Sequence, residues 1–183
     1  MNVKKPLLAV LVGMTAVVAV SCGQKAKTDT VDTVATTEER RPVTWEPCTG
    51  FPREVMDPIG HHDQEPSPHS QQSPYTSLLC IYSWRDPNLG VNVSATDSTL
   101  DNRRNDDRFE TLEETTINGR EVLISDFTNG SCHYAVGIEP GRLDFQVGYD
   151  YYQSPGELTR DEACKYARLV GETFAPYFPD TLY

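Results

Sequence analysis

The chain has 183 residues, with 27 acidic side chains against 16 basic ones and a formal net charge of −11. That balance excludes nucleic acid as a partner, because neutralising phosphates requires a basic surface. Close adhesion of the folded part to anionic lipid headgroups is disfavoured for the same reason.

In chain order, Lys4 and Lys5 come first, followed by the uncharged run Pro6–Val20. An apolar run of that length is too short to span a bilayer comfortably and suits the core of a secretory signal peptide. Its end, Ala19-Val20-Ser21-Cys22, resembles a lipobox, the cleavage site of bacterial lipoprotein signal peptidase. The resemblance implies a lipoprotein signal peptide over residues 1–21 and acyl chains such as palmitate on Cys22. Ala19 departs from the Leu that is commonest there. Each buried methylene contributes roughly 0.8 kcal/mol, so two or three chains hold a protein firmly on a membrane. The expected location is therefore the extracytoplasmic face of the cell membrane, with the lipid anchor as the membrane contact. Loss of Lys4 and Lys5 with the signal leaves −13 on the mature chain.

Residues 22–44 read as the lipidated cysteine and a disordered tether, since this stretch is poor in aromatics and rich in Lys, Thr, Asp, Glu and Arg. As a flexible coil it reaches about 25 Å. Residues 45–183 have the size of a single domain. Phe51, Val55 and Ile59 fall at helical spacing, with Gly60 beyond, and predict a short helix. Asp63–Ser73 reads as an irregular loop.

Ser77–Trp84 and Leu89–Thr96 predict strands joined by an Asp86-Pro87-Asn88 turn, and the charged stretch Leu100–Glu110 is weakly helical. Asn118-Gly119 predicts a hairpin between Thr111–Ile117 and Arg120–Phe127, because both central residues of that turn favour positive φ. Cys132–Ile138 and Leu143–Tyr149 form another pair around Glu139-Pro140-Gly141. In the last strand Leu143, Phe145, Val147 and Tyr149 alternate with Asp144, Gln146, Gly148 and Asp150, which predicts one buried and one wet face. Thr159 and Glu162 make a capping box for a final helix whose stripe is Ala163, Ala167, Val170 and Phe174, with Pro176 at its end. The expected class is α+β: an antiparallel sheet of about six strands, covered by a short N-terminal helix and a C-terminal helix.

Four cysteines remain after Cys22, namely Cys48, Cys80, Cys132 and Cys164. In an exported domain an even number implies two disulfides. Zinc is disfavoured, because its sites usually pair ligands two to four residues apart and these are far more widely spaced. The expected bonds are Cys48–Cys80 and Cys132–Cys164, each tying a helix to the sheet, with Cys48–Cys164 and Cys80–Cys132 as the rival pairing.

The order of features is recognisable: lipobox, polar tether, Pro47-Cys48, a strand with Cys80 and Trp84, the Asn118-Gly119-Arg120 turn, a strand led by Cys132, and Asp161-Glu162-Ala163-Cys164 on the last helix. It resembles the actinobacterial cell-envelope lipoproteins grouped as domain of unknown function number three-five-five-eight. The last motif departs from the family, where Asp-Pro-Cys is more usual. The family has no assigned activity, so the resemblance implies none.

Among chemistry-bearing residues, His61, His62, Asp63 and His69 have metal-binding types, but a solvated loop is the simpler reading. Asp101, Asp106, Asp107, Glu110, Glu113 and Glu114 lack calcium-loop spacing and read as a solvated face. No Gly-x-Ser-x-Gly turn is present. Ser131 and His133 flank Cys132 and could share a strand face, which alternation alone explains. Tyr149, Tyr151 and Tyr152, with Tyr82 and Trp84, are strand formers that could make an aromatic recognition patch. No catalytic residue, metal ligand or cofactor is assigned. The expected role is a non-catalytic binding or accessory module of the cell envelope, with a cell-wall polymer, a lipid or a protein as candidate partner. The alternative is a small envelope hydrolase using paired carboxylates.

Overall fold

The computed structural model describes residues 41–71, 75–128, 130–150, 152 and 156–183. The expected signal peptide, Cys22 and most of the expected tether therefore lie outside the described residues. The end of the tether does not: Val43 is buried in the core, and the Thr44 and Trp45 amides donate to the Leu182 carbonyl. The folded unit thus begins before Trp45.

Seven strands form one antiparallel sheet in the order β1-β2-β3-β7-β6-β5-β4. They are β1 (Ser67–Gln71), β2 (Ser77–Trp84), β3 (Leu89–Thr96), β4 (Phe109–Ile117), β5 (Arg120–Phe127), β6 (Ser131–Ile138) and β7 (Gly141–Gly148). β1 to β3 form one meander. The chain then crosses to the far edge through helix α2 (Leu100–Arg104) and returns as β4 to β7, with β7 closing against β3. Asn118 and Gly119 carry the turn between β4 and β5 at φ of 50° and 77°, the left-handed values that a two-residue hairpin requires.

The sheet differs from the sequence expectation at one edge. Asp63–Ser73 is not wholly irregular, because Ser67–Gln71 pairs with β2 from Ser67↔Ile81 to Gln71↔Ser77. An edge strand gains its place by backbone pairing alone and needs no apolar alternation. Pro68, which lacks an amide, is tolerated there.

The expected helix over Phe51–Gly60 is also replaced. Its place is taken by a single turn, α1 (Pro47–Gly50), and a 3₁₀ turn at Arg53–Met56. Phe51, Val55, Met56 and Ile59 are still buried, so the apolar spacing reported burial rather than a continuous helix. In β4, Thr111 faces Ser125 while Glu113 faces Ile124, leaving Leu112 as a bulge that is 40% exposed.

One face of the sheet is wholly apolar. Val91, Val93 and Ala95 of β3, Tyr134 and Val136 of β6, and Leu143, Phe145 and Val147 of β7 are all buried there. Helix α3 (Arg160–Phe174) lies across this face, capped by the reciprocal Thr159/Glu162 box and burying Ala163, Ala167, Val170, Gly171 and Phe174. Phe174 reaches Tyr82, Phe51 and Phe145 at ring-centroid separations of 5.3, 4.8 and 5.6 Å. Two disulfides join the covering elements to the sheet, Cys48–Cys80 to β2 and Cys132–Cys164 between β6 and α3. Each separates its partners by 32 residues, a loop whose closure stabilises by roughly 3–4 kcal/mol in the chain-entropy account.

The small residues on α3 set how closely it approaches. A Cβ at Gly171 would collide with the ring of Tyr134, which is buried beneath it. Alanine is favoured over glycine by about 1 kcal/mol in a helix, but overpacking a rigid core costs about 1–3 kcal/mol. Gly171→Ala is therefore expected to destabilise by about 1–2 kcal/mol, read from the urea midpoint. An unchanged or higher midpoint would show that α3 has room to shift.

Candidate functional site

The period of two that buries Val93 and Phe145 on the helix side turns their neighbours to the opposite face. Asn92 pairs with Gln146, Ser94 with Asp144 and Thr96 with Arg142 across β3 and β7. On β6 the same parity presents Ser131 and His133, with His133 opposite Gln146. Of these, Ser94, Thr96, His133, Arg142, Asp144 and Gln146 line the floor of a concave groove of about 960 Å³. One wall is α2 and the loop that follows it to Phe109. The other is built by His69, Ser70 and Tyr75.

α2 sits on this face for two reasons. Thr99 and Asn102 make a reciprocal capping box at its start, and Leu100 packs in a second small apolar cluster with Leu123 and Ala135. That seating carries Arg103 inward. Its Nη2 donates to Asp144 Oδ2, its Nη1 lies 3.4 Å from Ser125 Oγ, and its guanidinium stands 3.7 Å over the Phe109 ring. The wet face expected of the last strand is thus half right. The residues are polar, but Arg142 and Asp144 are buried, because α2 and its loop close over them.

A single chain of hydrogen bonds crosses the floor. Gln146 Nε2 donates to Ser131 Oγ at 3.1 Å, and Ser131 Oγ lies 3.0 Å from His133 Nε2. His133 Nδ1 lies 2.9 Å from Asp144 Oδ1. A carboxylate only accepts, so His133 carries its proton on Nδ1, and its Nε2 accepts from the Ser131 hydroxyl. Burial alone would raise the Asp144 pKa. The charges of Arg103 and Arg142 and the His133 hydrogen bond more than offset that, and hold it well below the carboxylate range.

The order serine Oγ, imidazole Nε2, imidazole Nδ1, carboxylate is that of a serine acyl-transfer triad, and sequence alternation alone did not single it out. Two features set it apart. Ser131 is 3% exposed and does not line the groove, and its oxygen already accepts from Gln146. The second oxygen of Asp144 is shared by Arg103 and by Arg142 Nε at 3.4 Å, so little of its charge is left to stabilise an imidazolium. As arranged, the chain of bonds ties Gln146, Ser131, His133 and Asp144 to one another across the floor.

The other sequence candidates are scattered. His62 Nε2 bonds Asp57 Oδ1 at 2.8 Å, Asp63 pairs with Arg85, and His69 lies on β1. Among the described residues no group of three or more His, Cys, Asp or Glu is placed to hold a metal ion. The acidic stretch is spread along α2, its loop and β4, and much of it is paired: Asp101 and Glu114 with Arg104, Asp106 with Arg108, Glu110 with Arg160, and Glu113 with Arg168.

The aromatic residues do not form the contemplated patch. Tyr82 and Trp84 are buried and donate to the Pro47 and Met56 carbonyls. Tyr149 donates to Asp126 at 2.9 Å, Tyr152 is exposed, and Tyr151 lies outside the described residues. Arg103, Arg142 and Asp144 were missed as site residues. The alternation around Leu143 and Phe145 placed Asp144 and Gln146 on one face, but nothing local marks Arg103 as their partner 41 residues away.

A family model described as "Protein of unknown function (DUF3558)" matches residues 17–177. No curated protein matches the chain, and no solved structure does.

Replacing Asp144 by Asn leaves two buried guanidiniums without a counter-charge, and is expected to cost about 3–5 kcal/mol in urea unfolding. Ser131→Ala, which removes a neutral partner, is expected to cost about 1–2 kcal/mol. The Asp144 pKa is lowered on folding, so its contribution is fully present above the unfolded carboxylate value of about 4. It is lost as the pH falls below that, toward the depressed native value. The stability gap between wild type and Asp144→Asn should thus be flat from pH 5 to 8 and narrow below pH 4. A gap that widens on acidification would contradict the ion-pair account.

Proposed function

Because the chain belongs to the DUF3558 family of proteins of unknown function, we propose its role from the groove: a lipid-anchored module that binds a hydroxyl-rich cell-wall glycan outside the membrane. The observation that carries this reading is the groove floor, where polar side chains of β3, β6 and β7 line the cavity beside Leu79 of β2. Ser94, Thr96, Asn102 and Gln146 offer neutral donors and acceptors there, and Tyr75 and Phe109 offer aromatic surfaces at its sides. Hydroxyl-rich ligands need many modest hydrogen bonds and a ring against which C–H groups pack. An acyl chain would cover the side chains of Ser94, Thr96, Asn102 and Gln146 without pairing them, which favours a glycan over a lipid.

The support for the anchor is Ala19-Val20-Ser21-Cys22, which resembles an acylation signal.

A hydrolase working with paired carboxylates has less support. Asp144 is committed to Arg103 and His133, and Asp106 is held by Arg108, whose hydrogen bonds push its pKa down to about 2. Serine acyl transfer through Ser131 is the enzymatic reading with more geometry behind it, and it is tested directly. Incubation with a fluorophosphonate probe should leave Ser131 unlabelled. A Ser131 adduct that disappears in His133→Ala would replace the binding reading with a hydrolase.

For the binding reading, the full chain in detergent should retain fragments of cell-wall polysaccharide on a glycan array. Ser94→Tyr, which fills the floor, should lower that retention at least tenfold with the fold intact by circular dichroism. Retention unaffected by Ser94→Tyr would remove the groove from the function. Mass spectrometry of the native protein should show acylated Cys22, and Cys22→Ser should accumulate as unprocessed precursor. A free Cys22 thiol would remove the anchor.

A further inference from the structure

The groove floor holds more buried positive charge than negative. Arg103 and Arg142 have side chains only 4% and 10% exposed, and they share the single carboxylate of Asp144, itself 5% exposed. Burial pulls the Arg103 pKa down and the neighbouring Arg142 adds to the lowering, while Asp144 and Asp106 oppose it. The donors of Arg142 are unequally used. Nε lies 3.4 Å from Asp144, and Nη1 donates to the Ser98 carbonyl at 2.7 Å, the Ser98 hydroxyl at 2.7 Å and the Thr99 carbonyl at 3.0 Å.

Nη2 makes no hydrogen bond among the described residues, yet it is not one of the sealed, unsatisfied atoms. Arg142 is itself one of the residues that line the groove. The other charges facing the groove are Asp106 and Arg108, paired with each other, together with exposed Asp107 and the imidazoles of His69 and His133.

We propose that Arg142 Nη2 is an oxyanion subsite, so that the groove selects a glycan bearing one acidic group, a carboxylate or a phosphate, over its neutral counterpart. This rests on the glycan reading above and names the chemistry of its ligand. Ser94, on the neighbouring strand opposite Asp144, supplies a hydroxyl donor beside the anion. The planar guanidinium suits an oxyanion better than an ammonium would, because it presents its donors in a fixed fork. A charge-assisted bond of this kind is about twice as strong as a neutral one, and corresponds to a preference of roughly tenfold to a hundredfold.

The test titrates the full chain in detergent with galacturonate, galactose 1-phosphate, inorganic phosphate and galactose. The acidic sugars should bind at least tenfold more tightly than galactose, and rising salt should weaken them alone. The tighter of the two identifies carboxylate or phosphate as the natural group, while inorganic phosphate alone should compete. Arg142→Gln should erase the acidic preference, so that galacturonate, galactose 1-phosphate and galactose bind with affinities within about twofold of one another. Ser94→Glu, which puts a competing carboxylate beside the site and leaves the Ser98 contacts intact, should likewise bring the acidic sugars down to the affinity of galactose or below it if Arg142→Gln fails to fold. Galactose bound as tightly as galacturonate would overturn the oxyanion subsite and leave the glycan groove standing. Absence of binding by any of the sugars would overturn both.

Discussion

A lone sheet covered by one helix has a second face that must be satisfied without a second hydrophobic layer, and the Asp144 carboxylate is what satisfies it here. Arg103 comes to that carboxylate from α2, a helix of five residues, far below the length at which a helix is stable on its own. Its capping box, the Leu100 contact with Leu123 and Ala135, and the ion pair to Asp144 together hold it on the sheet. The groove wall exists because α2 stays there. The His133 tautomer and the orientation of Ser131 and Gln146 follow from the other oxygen of the same carboxylate. One buried anion thus fixes the shape of the groove and the direction of every donor across its floor.

The regular parts of the fold were legible where period and burial agree. Strands such as Leu143–Gly148 alternate cleanly because one face packs on α3, and the Thr159/Glu162 box marks where α3 begins. The cysteine pairing expected from joining a helix to its sheet coincides with the bonds present. What was not legible depended on contacts between distant residues. β1 is an edge strand held by backbone bonds to β2, so its side chains carry no signal. Val43 looks like tether until its burial against the core and the neighbouring backbone bond to Leu182 are seen. Arg103 reads as one more charge in an acidic stretch, and only the crossing of α2 over the sheet converts it into the partner of Asp144. Ser131 and His133 were seen to share a face, but the carboxylate that orients them comes from the next strand.

The acidic surface behaves differently from the acidic floor. Arg104, Arg160 and Arg168 reach from α2 and α3 to Glu114, Glu110 and Glu113 on the edge strand β4. Such exposed pairs add little stability each. They place charge along an open strand edge that also bears the Leu112 bulge, and both features discourage edge-to-edge pairing with another sheet.

The Cys48–Cys80 bond has a mechanical meaning. A pull transmitted along the chain from the N-terminal side enters the folded unit near Arg41 and meets the Thr44 and Trp45 hydrogen bonds to Leu182 first. If those yield, the load reaches Cys48 and passes covalently into β2 at Cys80, bypassing residues 49–79. β2 is bonded to β3 along its full length, and β3 forms part of the groove floor. Tension applied between the N-terminal side and the groove therefore runs through a covalent bond and one strand ladder, and it bypasses the 3₁₀ turn at Arg53–Met56 and the edge strand β1.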